Sequence, residues 1–179
     1  DAKINNFDWI VISRGGKLID MAKNEGKEYI QIPNGLQPRA AFGYLTLAVS
    51  KIVDIVEGSN YVSQLNDVSL YIDKLSDKGD ESDINKLSID ICESINKKTV
   101  IIYSGTDMSR VVSSRWKTQI NENAKSKAFI GNLPEVHHNE ILSWDADKDG
   151  SKKNYIVIFI RDQNEHPQIK KRFELTKDL

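Results

Sequence analysis

The feature that most constrains the fold is a repeated alternation of short β-branched runs and helical patterns between Lys97 and Leu179. The run TVIIYSG at 99–105 is typical of a strand buried on both faces of a parallel sheet. A helical pattern of about five turns follows, to Lys125. This alternation predicts an open α/β sheet. The other predicted elements here are strands at 127–132 and 154–162 and helices at 139–144 and 166–175.

The first part of the chain shows the same alternation once. Residues 8–13 and 28–33 are predicted strands, and residues 17–26 form the helix between them. Together they make one βαβ unit, the repeating unit of a parallel sheet. Residues 40–96 contain three helical patterns and no convincing strand. We interpret this second stretch as helices that connect two sheet domains.

These patterns predict a doubly wound, flavodoxin-like α/β architecture in three parts. We expect residues 1–48 to be the C-terminal part of a first domain, 49–96 a helical connector and 97–179 a second domain. One βαβ unit is only part of a sheet, so we expect its missing strands to lie before Asp1. The second domain ends in a helix, so we expect it to be incomplete at Leu179 as well.

Composition narrows the class of protein. A net charge of −1, with 28% charged and 39% apolar residues, favours an ordinary soluble protein and gives no sign of a nucleic-acid partner. No apolar run approaches the ~20 residues that span a bilayer, so we expect no membrane partner. The single cysteine, Cys92, excludes an intrachain disulfide. We therefore expect a cytoplasmic protein in which Cys92 is a small buried apolar residue.

The first candidate for chemistry is Glu122, late in the 106–125 helix. Arg115, Gln119 and Glu122 fall on one polar stripe at helical spacing. The adjacent apolar stripe consists of Met108, Val112, Trp116 and Ile120. A solvated surface with Glu122 paired to Lys125 is the ordinary explanation for such a glutamate. The segment after the next strand is the reason to consider a functional role for Glu122.

That segment, Pro134 to Glu140, follows the carboxyl end of a predicted strand, where ligands bind in open α/β sheets. It holds two adjacent histidines, His137 and His138. Adjacent side chains point apart, and no Cys or distant His completes a ligand set, so the spacing does not favour a metal. A single imidazole acting as an acid or base near neutral pH is the better use.

A nearby acidic turn resembles a calcium-binding loop without completing it. Asp145, Asp147, Asp149 and Gly150 match the first half of an EF-hand loop. The position that requires a bidentate Glu is Ile156, inside a predicted strand. We therefore expect an acidic turn rather than a calcium site.

Three stretches of the chain resemble a known family. They are ISRGGKLIDMA, IPNGLQPRAAFGYL and RWKTQINENAK…LPEVHHNEI. They resemble the archaeal and bacterial bifunctional phosphoglucose/phosphomannose isomerases of the sugar isomerase (SIS) domain superfamily. The likeness runs from about residue 8 to residue 162 and is weakest across the helical connector. The QPRAA and NENAK…HHNE segments are fairly specific in this order.

The resemblance implies SIS-type domains, a homodimer, a hexose 6-phosphate substrate, and catalysis without a metal or other cofactor. It places Glu122 at the base that moves a proton between C1 and C2 through a cis-enediol(ate). It places His138 at the imidazole that opens the sugar ring, a group that can reach the site from a partner subunit. Arg39 falls at the guanidinium that stabilises the enediolate. We also expect substrate contacts from Arg115, Gln119 and Asn139.

Two parts of the family pattern are missing from this stretch of sequence. The Ser/Thr-rich phosphate loop belongs upstream of residue 8, and a lysine near the family's C-terminus lies beyond Leu179. We therefore expect the chain by itself to have little activity. Two alternatives remain: a SIS-type regulatory module that binds sugar phosphates without chemistry, and a purely structural α/β segment.

Overall fold

A computed structural model describes residues 7–76, 83–146 and 150–178. The chain forms two compact units, Asp1–Ser82 and Asp83–Leu179, which are called the first and second unit below. Their boundary falls inside the segment predicted as a connector, and the three-part division stays a prediction. The sequence also predicts a polar turn between the second and third helical patterns, with Gly79 as its breaker and Ser82 as an N-cap. Gly79, Ser82 and the centre of the acidic turn at 147–149 lie outside the described residues.

The first unit begins with the predicted βαβ unit. Strands β1 (Val11–Ser13) and β2 (Tyr29–Gln31) pair in parallel, and α1 (Lys17–Asn24) connects them. Two long helices follow, α2 (Phe42–Glu57) and α3 (Tyr61–Ser76). The apolar core of the βαβ part is small because the sheet has only two strands. It consists of Val11, Ile19 and Ala22, with Trp9 packed against them.

The junction between α2 and α3 is built on one carboxylate. Gly58 ends α2 in the left-handed conformation, with φ of 68°. Asp54 then accepts bonds from the backbone N–H groups of Tyr61 at 2.7 Å and Val62 at 3.0 Å. These bonds cap the first turn of α3. The bond from Val62 is the main cause that holds the pKa of Asp54 below its ordinary value of 3.8.

The second unit is a doubly wound parallel sheet, as the sequence predicted. The strand order is β4-β3-β5, and both pairings are parallel. The chain enters at the central strand, moves to one side, and then crosses to the other. The elements are α4 (Asp83–Ile95), β3 (Thr99–Ser104), α5 (Asp107–Glu122), β4 (Ala128–Asn132), α6 (Val136–Asn139), α7 (Ile141–Ala146), a 3-10 turn (Ser151–Asn154), β5 (Tyr155–Ile160) and α8 (Pro167–Lys177).

Strand β3 is buried on both faces, which explains its continuous apolar sequence. On one face Val100 and Ile102 pack with Ala128 and with Ile120 of α5. The opposite face is covered by α6 and α8. Its buried residues are Ile101, Tyr103, Leu133, Val136, Ile169 and Phe173.

The orientation of α5 differs from the prediction. Three residues of the predicted apolar stripe are exposed: Met108 (62%), Val112 (37%) and Trp116 (36%). The small residues Ser109 and Ser113 are buried instead. The Oγ atoms of Ser113 and Ser104 lie 3.0 Å apart, and Ser104 Oγ donates to Asn132 Oδ1 at 2.8 Å. Small side chains let α5 approach the sheet closely, and the buried hydroxyls are satisfied within the contact.

The prediction that Cys92 is buried is wrong, because this thiol is exposed. Along α4, Ile95 packs against the sheet. Leu87 and Ile89 are 58% and 55% exposed, so the helix offers Cys92 no enclosed face. None of the helices in the described ranges combines the length and apolar composition needed to cross a lipid bilayer.

Candidate active site

The segment from Pro134 to Glu140 lies at the carboxyl edge of the sheet, as the sequence predicted. The backbone N–H of Leu133 donates to the Ser104 carbonyl at 2.8 Å, which joins the ends of β3 and β4. The chain then forms the one-turn helix α6. Val136 is only 2% exposed and holds this helix against the sheet. This packing decides which of the next four side chains point outward.

His137 lies on the inward side of α6 and is bound to α8. Its Nε2 is 2.6 Å from Thr176 Oγ1, and Arg172 Nη1 is 3.1 Å from its Nδ1. A guanidinium can only donate, so Nδ1 accepts. Thr176 Oγ1 already donates to the Arg172 carbonyl at 2.8 Å, so it accepts from Nε2. The contacts therefore select the neutral imidazole with its proton on Nε2. Burial lowers the pKa of His137 from its ordinary 6.5, and the charge of Arg172 lowers it further.

Glu140 provides a second attachment, between the end of α6 and β3. The hydroxyl of the buried Tyr103 donates to Glu140 Oε1, and Trp144 Nε1 donates to the same hydroxyl at 2.7 Å. Burial raises the pKa of Tyr103, and the bond to Glu140 raises it further. The phenol therefore stays neutral and can keep donating at neutral pH.

His138 and Asn139 lie between these two attachments and are both exposed. Asn139 Nδ2 donates to Glu135 Oε1 at 3.1 Å, a bond within the same turn. The backbone of His138 is fixed because its N–H donates to the Glu135 carbonyl at 2.9 Å. The arrangement presents an imidazole and an amide to the exterior from an anchored turn.

Glu122 lies at the other edge of the sheet. It is the last residue of α5 and is exposed. Asn121 Nδ2 donates to the Ser126 carbonyl at 2.9 Å, which holds this end of α5 beside the start of β4. Lys125 Nζ donates to the backbone carbonyl of Glu122 at 2.5 Å, not to its carboxylate as the ordinary explanation predicted.

Glu122 and His138 therefore do not come together within one chain. Strand β4 separates the two segments, and its 5 residues span about 16 Å at roughly 3.3 Å per residue. Glu122 precedes the strand and His138 follows it.

Arg115 and Gln119 lie one turn apart on α5, about two turns and one turn before Glu122. The Gln119 amide lies between Arg115 and Asn123. With its oxygen turned toward Arg115, it accepts from the guanidinium Nε at 3.1 Å. Both residues are half-buried, and both lie on the end of α5 that carries Glu122.

Arg39 belongs to the first unit. It lies in the turn that leads into α2 and is half-buried. The Ala41 N–H donates to the carbonyls of Gln37 and Pro38 at 3.1 and 3.2 Å, which closes that turn. The other five predicted site residues all belong to the second unit.

Four residues around α6 were not predicted from the sequence. Arg172 and Thr176 are four residues apart and so share one face of α8, which is a signal that could have been noticed. Nothing in the sequence tells that this face meets α6. Tyr103 and Trp144 are far from each other in the chain, and their bond depends on the tertiary fold. Within the described residues, no three His, Cys, Asp or Glu side chains are grouped as metal ligands would be.

Comparison with known proteins identifies the relatives of this chain. It is 32% identical over 172 residues to the bifunctional phosphoglucose/phosphomannose isomerase of Aquifex aeolicus, which covers 95% of the chain and 49% of that protein. The protein of the same name from Caldicellulosiruptor bescii is 30% identical over 184 residues, covering 100% of the chain and 53% of that protein. The D-glucosamine-6-phosphate 4-epimerase of Sulfolobus acidocaldarius is 34% identical over 132 residues, 74% of the chain and 40% of that protein.

The chain thus spans about half the length of the curated relatives it matches. No solved structure gives a significant match. A family model described as the bacterial phospho-glucose isomerase C-terminal SIS domain matches residues 84–179, which includes the whole described part of the second unit after Asp83. The resemblance seen in the NENAK…HHNE segment is confirmed: the chain belongs to the bacterial phospho-glucose isomerase C-terminal SIS domain family.

Proposed function

We propose that the protein to which this chain belongs is an aldose–ketose isomerase. It interconverts glucose 6-phosphate or mannose 6-phosphate with fructose 6-phosphate, without a metal or other cofactor, as a cytoplasmic homodimer. The names of the relatives support the sugar 6-phosphate class. The single observation that carries the proposal is α6, whose inner side is anchored while His138 is presented outward.

Glu122 supplies the base. Its carboxylate takes the proton from C2 of the open-chain aldose phosphate, and the electron pair left behind forms the enediolate as the carbonyl oxygen gains charge. A proton also moves from the C2 hydroxyl to the C1 oxygen, and the same carboxyl group returns its proton to C1, which gives the ketose. No electrons leave the substrate, so the reaction needs no oxidant or reductant. The exposed position of Glu122 at the end of α5 leaves its carboxylate open to a ligand.

His138 acts before this transfer, and Arg39 acts during it. A neutral imidazole can donate its proton to the ring oxygen while the anomeric hydroxyl gives one up, which opens the sugar ring. A guanidinium is always charged and can bond the enediolate oxygens. Arg115, Gln119 and Asn139 are proposed as substrate contacts because they lie on the same two segments.

The site is shared between two copies. Glu122 and His138 leave opposite edges of one sheet, so the base of one copy works with the imidazole of the other. A two-fold related pair contains two such sites, because an isologous interface repeats every contact twice.

The test is a coupled assay on the whole protein with fructose 6-phosphate, in the presence and absence of EDTA. We expect formation of both aldose phosphates and no effect of EDTA. Glu122→Gln should lower kcat by about 10²–10⁴-fold, because it removes the base while keeping size and polarity. Calorimetric affinity for fructose 6-phosphate should change little. Turnover retained in this variant would remove Glu122 from the mechanism.

The same samples distinguish the alternatives. Tight binding of fructose 6-phosphate without turnover in the unsubstituted protein would favour the non-catalytic SIS-type regulatory module. One relative is named a 4-epimerase of D-glucosamine 6-phosphate. Turnover of that substrate at C4, without isomerisation of fructose 6-phosphate, would favour an epimerase of the same substrate class.

A further inference from the structure

We propose that His137 is a positioning residue for His138, and that Arg172 and Thr176 of α8 hold it in the one proton state that does this. The inference rests on the proposed ring-opening role of His138. It concerns a residue that does not touch the substrate: His137 acts by fixing the turn from which its neighbour projects.

The first step of the argument is mechanical. A helix of four residues has too few internal bonds to be stable by itself. Its inner side is therefore attached at both ends, by His137 to Thr176 at 2.6 Å and by Glu140 to the Tyr103 hydroxyl. Residues three apart share a face of a helix, so both attachments lie inward and His138 projects between them.

The second step concerns the proton. Arg172 Nη1 donates to His137 Nδ1 at 3.1 Å, so that nitrogen must keep its lone pair. An imidazolium has no lone pair on either nitrogen. Protonation of His137 therefore breaks the bond to Arg172 and places two positive charges about 3 Å apart. The bond from Nε2 to Thr176 survives protonation, so only a neutral His137 makes both bonds from α6 to α8.

The third step identifies the groups that face the ring. From α8 the charged group is Arg172, and the polar group is Thr176. From β3, Tyr103 bonds Glu140 on the same side of α6 and stays neutral. Burial and Arg172 both lower the pKa of His137. These neighbours favour the neutral ring, so the attachment is complete at neutral pH.

The first experiment uses this chain in solution. Long-range ¹⁵N–¹H NMR should find the His137 proton on Nε2 at pH 7.5, because Thr176 accepts it. Arg172→Met should raise the pKa of His137, since it removes the donor to Nδ1 and the adjacent charge. Lys171→Met, which removes the preceding and exposed charge of α8, is the matched control and should leave that pKa unchanged. A proton on Nδ1, or equal effects of both variants, would overturn the proposal.

The second experiment uses the whole protein. His137→Leu removes donor and acceptor, and should lower kcat about 10–100-fold with little change in KM. It should also speed amide exchange at His138 and Glu140. His137→Gln retains one donor and one acceptor without a titrating proton. It should restore most of the rate and flatten the acid limb of the kcat profile.

The outcomes separate this inference from the proposed function. Absence of turnover in the unsubstituted protein contradicts the proposed function. Normal turnover, with an unchanged kcat and unchanged α6 exchange in a folded His137→Leu variant, contradicts the positioning role alone. If His137→Leu does not fold, the pH profiles of His137→Gln and Thr176→Val are measured instead. A pH profile identical to the unsubstituted protein in both would overturn the proposal.

Discussion

Two adjacent histidines have different structural roles in this chain. His137 is half-buried and bonded to α8, whereas His138 is exposed. Neighbouring positions on a helix point about 100° apart, so a single residue separates an anchor from a presented group. The sequence predicted that the two side chains diverge. It contained no indication of which one faces inward, because that depends on the burial of Val136 at the preceding position.

At the same scale, the Tyr103 hydroxyl is expected to contribute to stability. Tyr103→Phe leaves Glu140 and Trp144 Nε1 without their shared partner. The loss of a bond to a partly buried carboxylate should lower the free energy of unfolding by about 1–3 kcal/mol. Urea denaturation of the variant and the unsubstituted chain measures this difference. The control is Tyr155→Phe, whose side chain is 39% exposed and should have a smaller effect. Equal losses in both variants would contradict this account.

The pH dependence of stability follows from His137. Its pKa in the folded chain lies below the ordinary value of 6.5, so the unfolded chain takes up the proton first as the pH falls. The contribution of His137 to the free energy of unfolding is complete above pH 6.5 and is lost progressively below that pH. Denaturation midpoints at roughly pH 7.5 and pH 5.5 should differ less in His137→Gln than in the unsubstituted chain. His166→Gln is the control, and a similar reduction there would refute the assignment.

At the scale of elements, the sequence predicted strands well and the orientation of helices poorly. Strands β3 and β5 are continuous apolar runs rich in β-branched residues, which is typical of parallel strands, and that signal is local. Which side of α5 meets the sheet is not local. The sheet accepts the narrow Ser109–Ser113 face because it allows close approach, whereas the wider Met108–Trp116 face remains exposed.

The contact between β4 and α6 depends on the absence of a side chain. A Cβ at Gly131 would lie 2.6 Å from Val136 Cγ2 and 2.8 Å from Tyr103 Cε1. Gly131→Ala should therefore displace α6 and lower the free energy of unfolding by about 1–3 kcal/mol, the usual effect of overpacking. Denaturation and the amide exchange of His138 measure the two effects.

Gly43→Ala is the control for this substitution. It lies in α2, and a Cβ there meets nothing within 4 Å. Alanine is also the better helix former, so stability should be unchanged or slightly raised. A Gly131→Ala variant as stable as the Gly43→Ala variant would show that α6 tolerates the added methyl group.

At the scale of the whole molecule, the predicted site residues are divided between two units and between two edges of one sheet. The sequence predicted the elements that carry Glu122 and His138, together with the edge on which His138 lies. It did not predict that β4 separates Glu122 from His138, because the residue pattern alone does not give the direction of α5 relative to the strands. That helix runs against the strands and returns Glu122 to the amino edge.

A shared site predicts complementation between two inactive variants. In a pair formed from Glu122→Gln and His138→Ala, one of the two sites receives an intact glutamate and an intact histidine. Random exchange of equal amounts should recover about one quarter of the original activity, since half the pairs are mixed and half their sites are intact. The coupled assay after mixing and re-equilibration measures it. No recovery, despite confirmed exchange of subunits, would place both residues in the site of a single copy.

The proposed shared site also predicts how activity responds to dilution, because β4 separates Glu122 from His138 within one copy. In that proposal a single copy carries two incomplete sites, so it should have no turnover. The initial rate at low enzyme concentration should then rise with the square of that concentration and become linear only once association is complete. Reconcentrating a diluted sample should recover all of its specific activity, because nothing in the chain has unfolded.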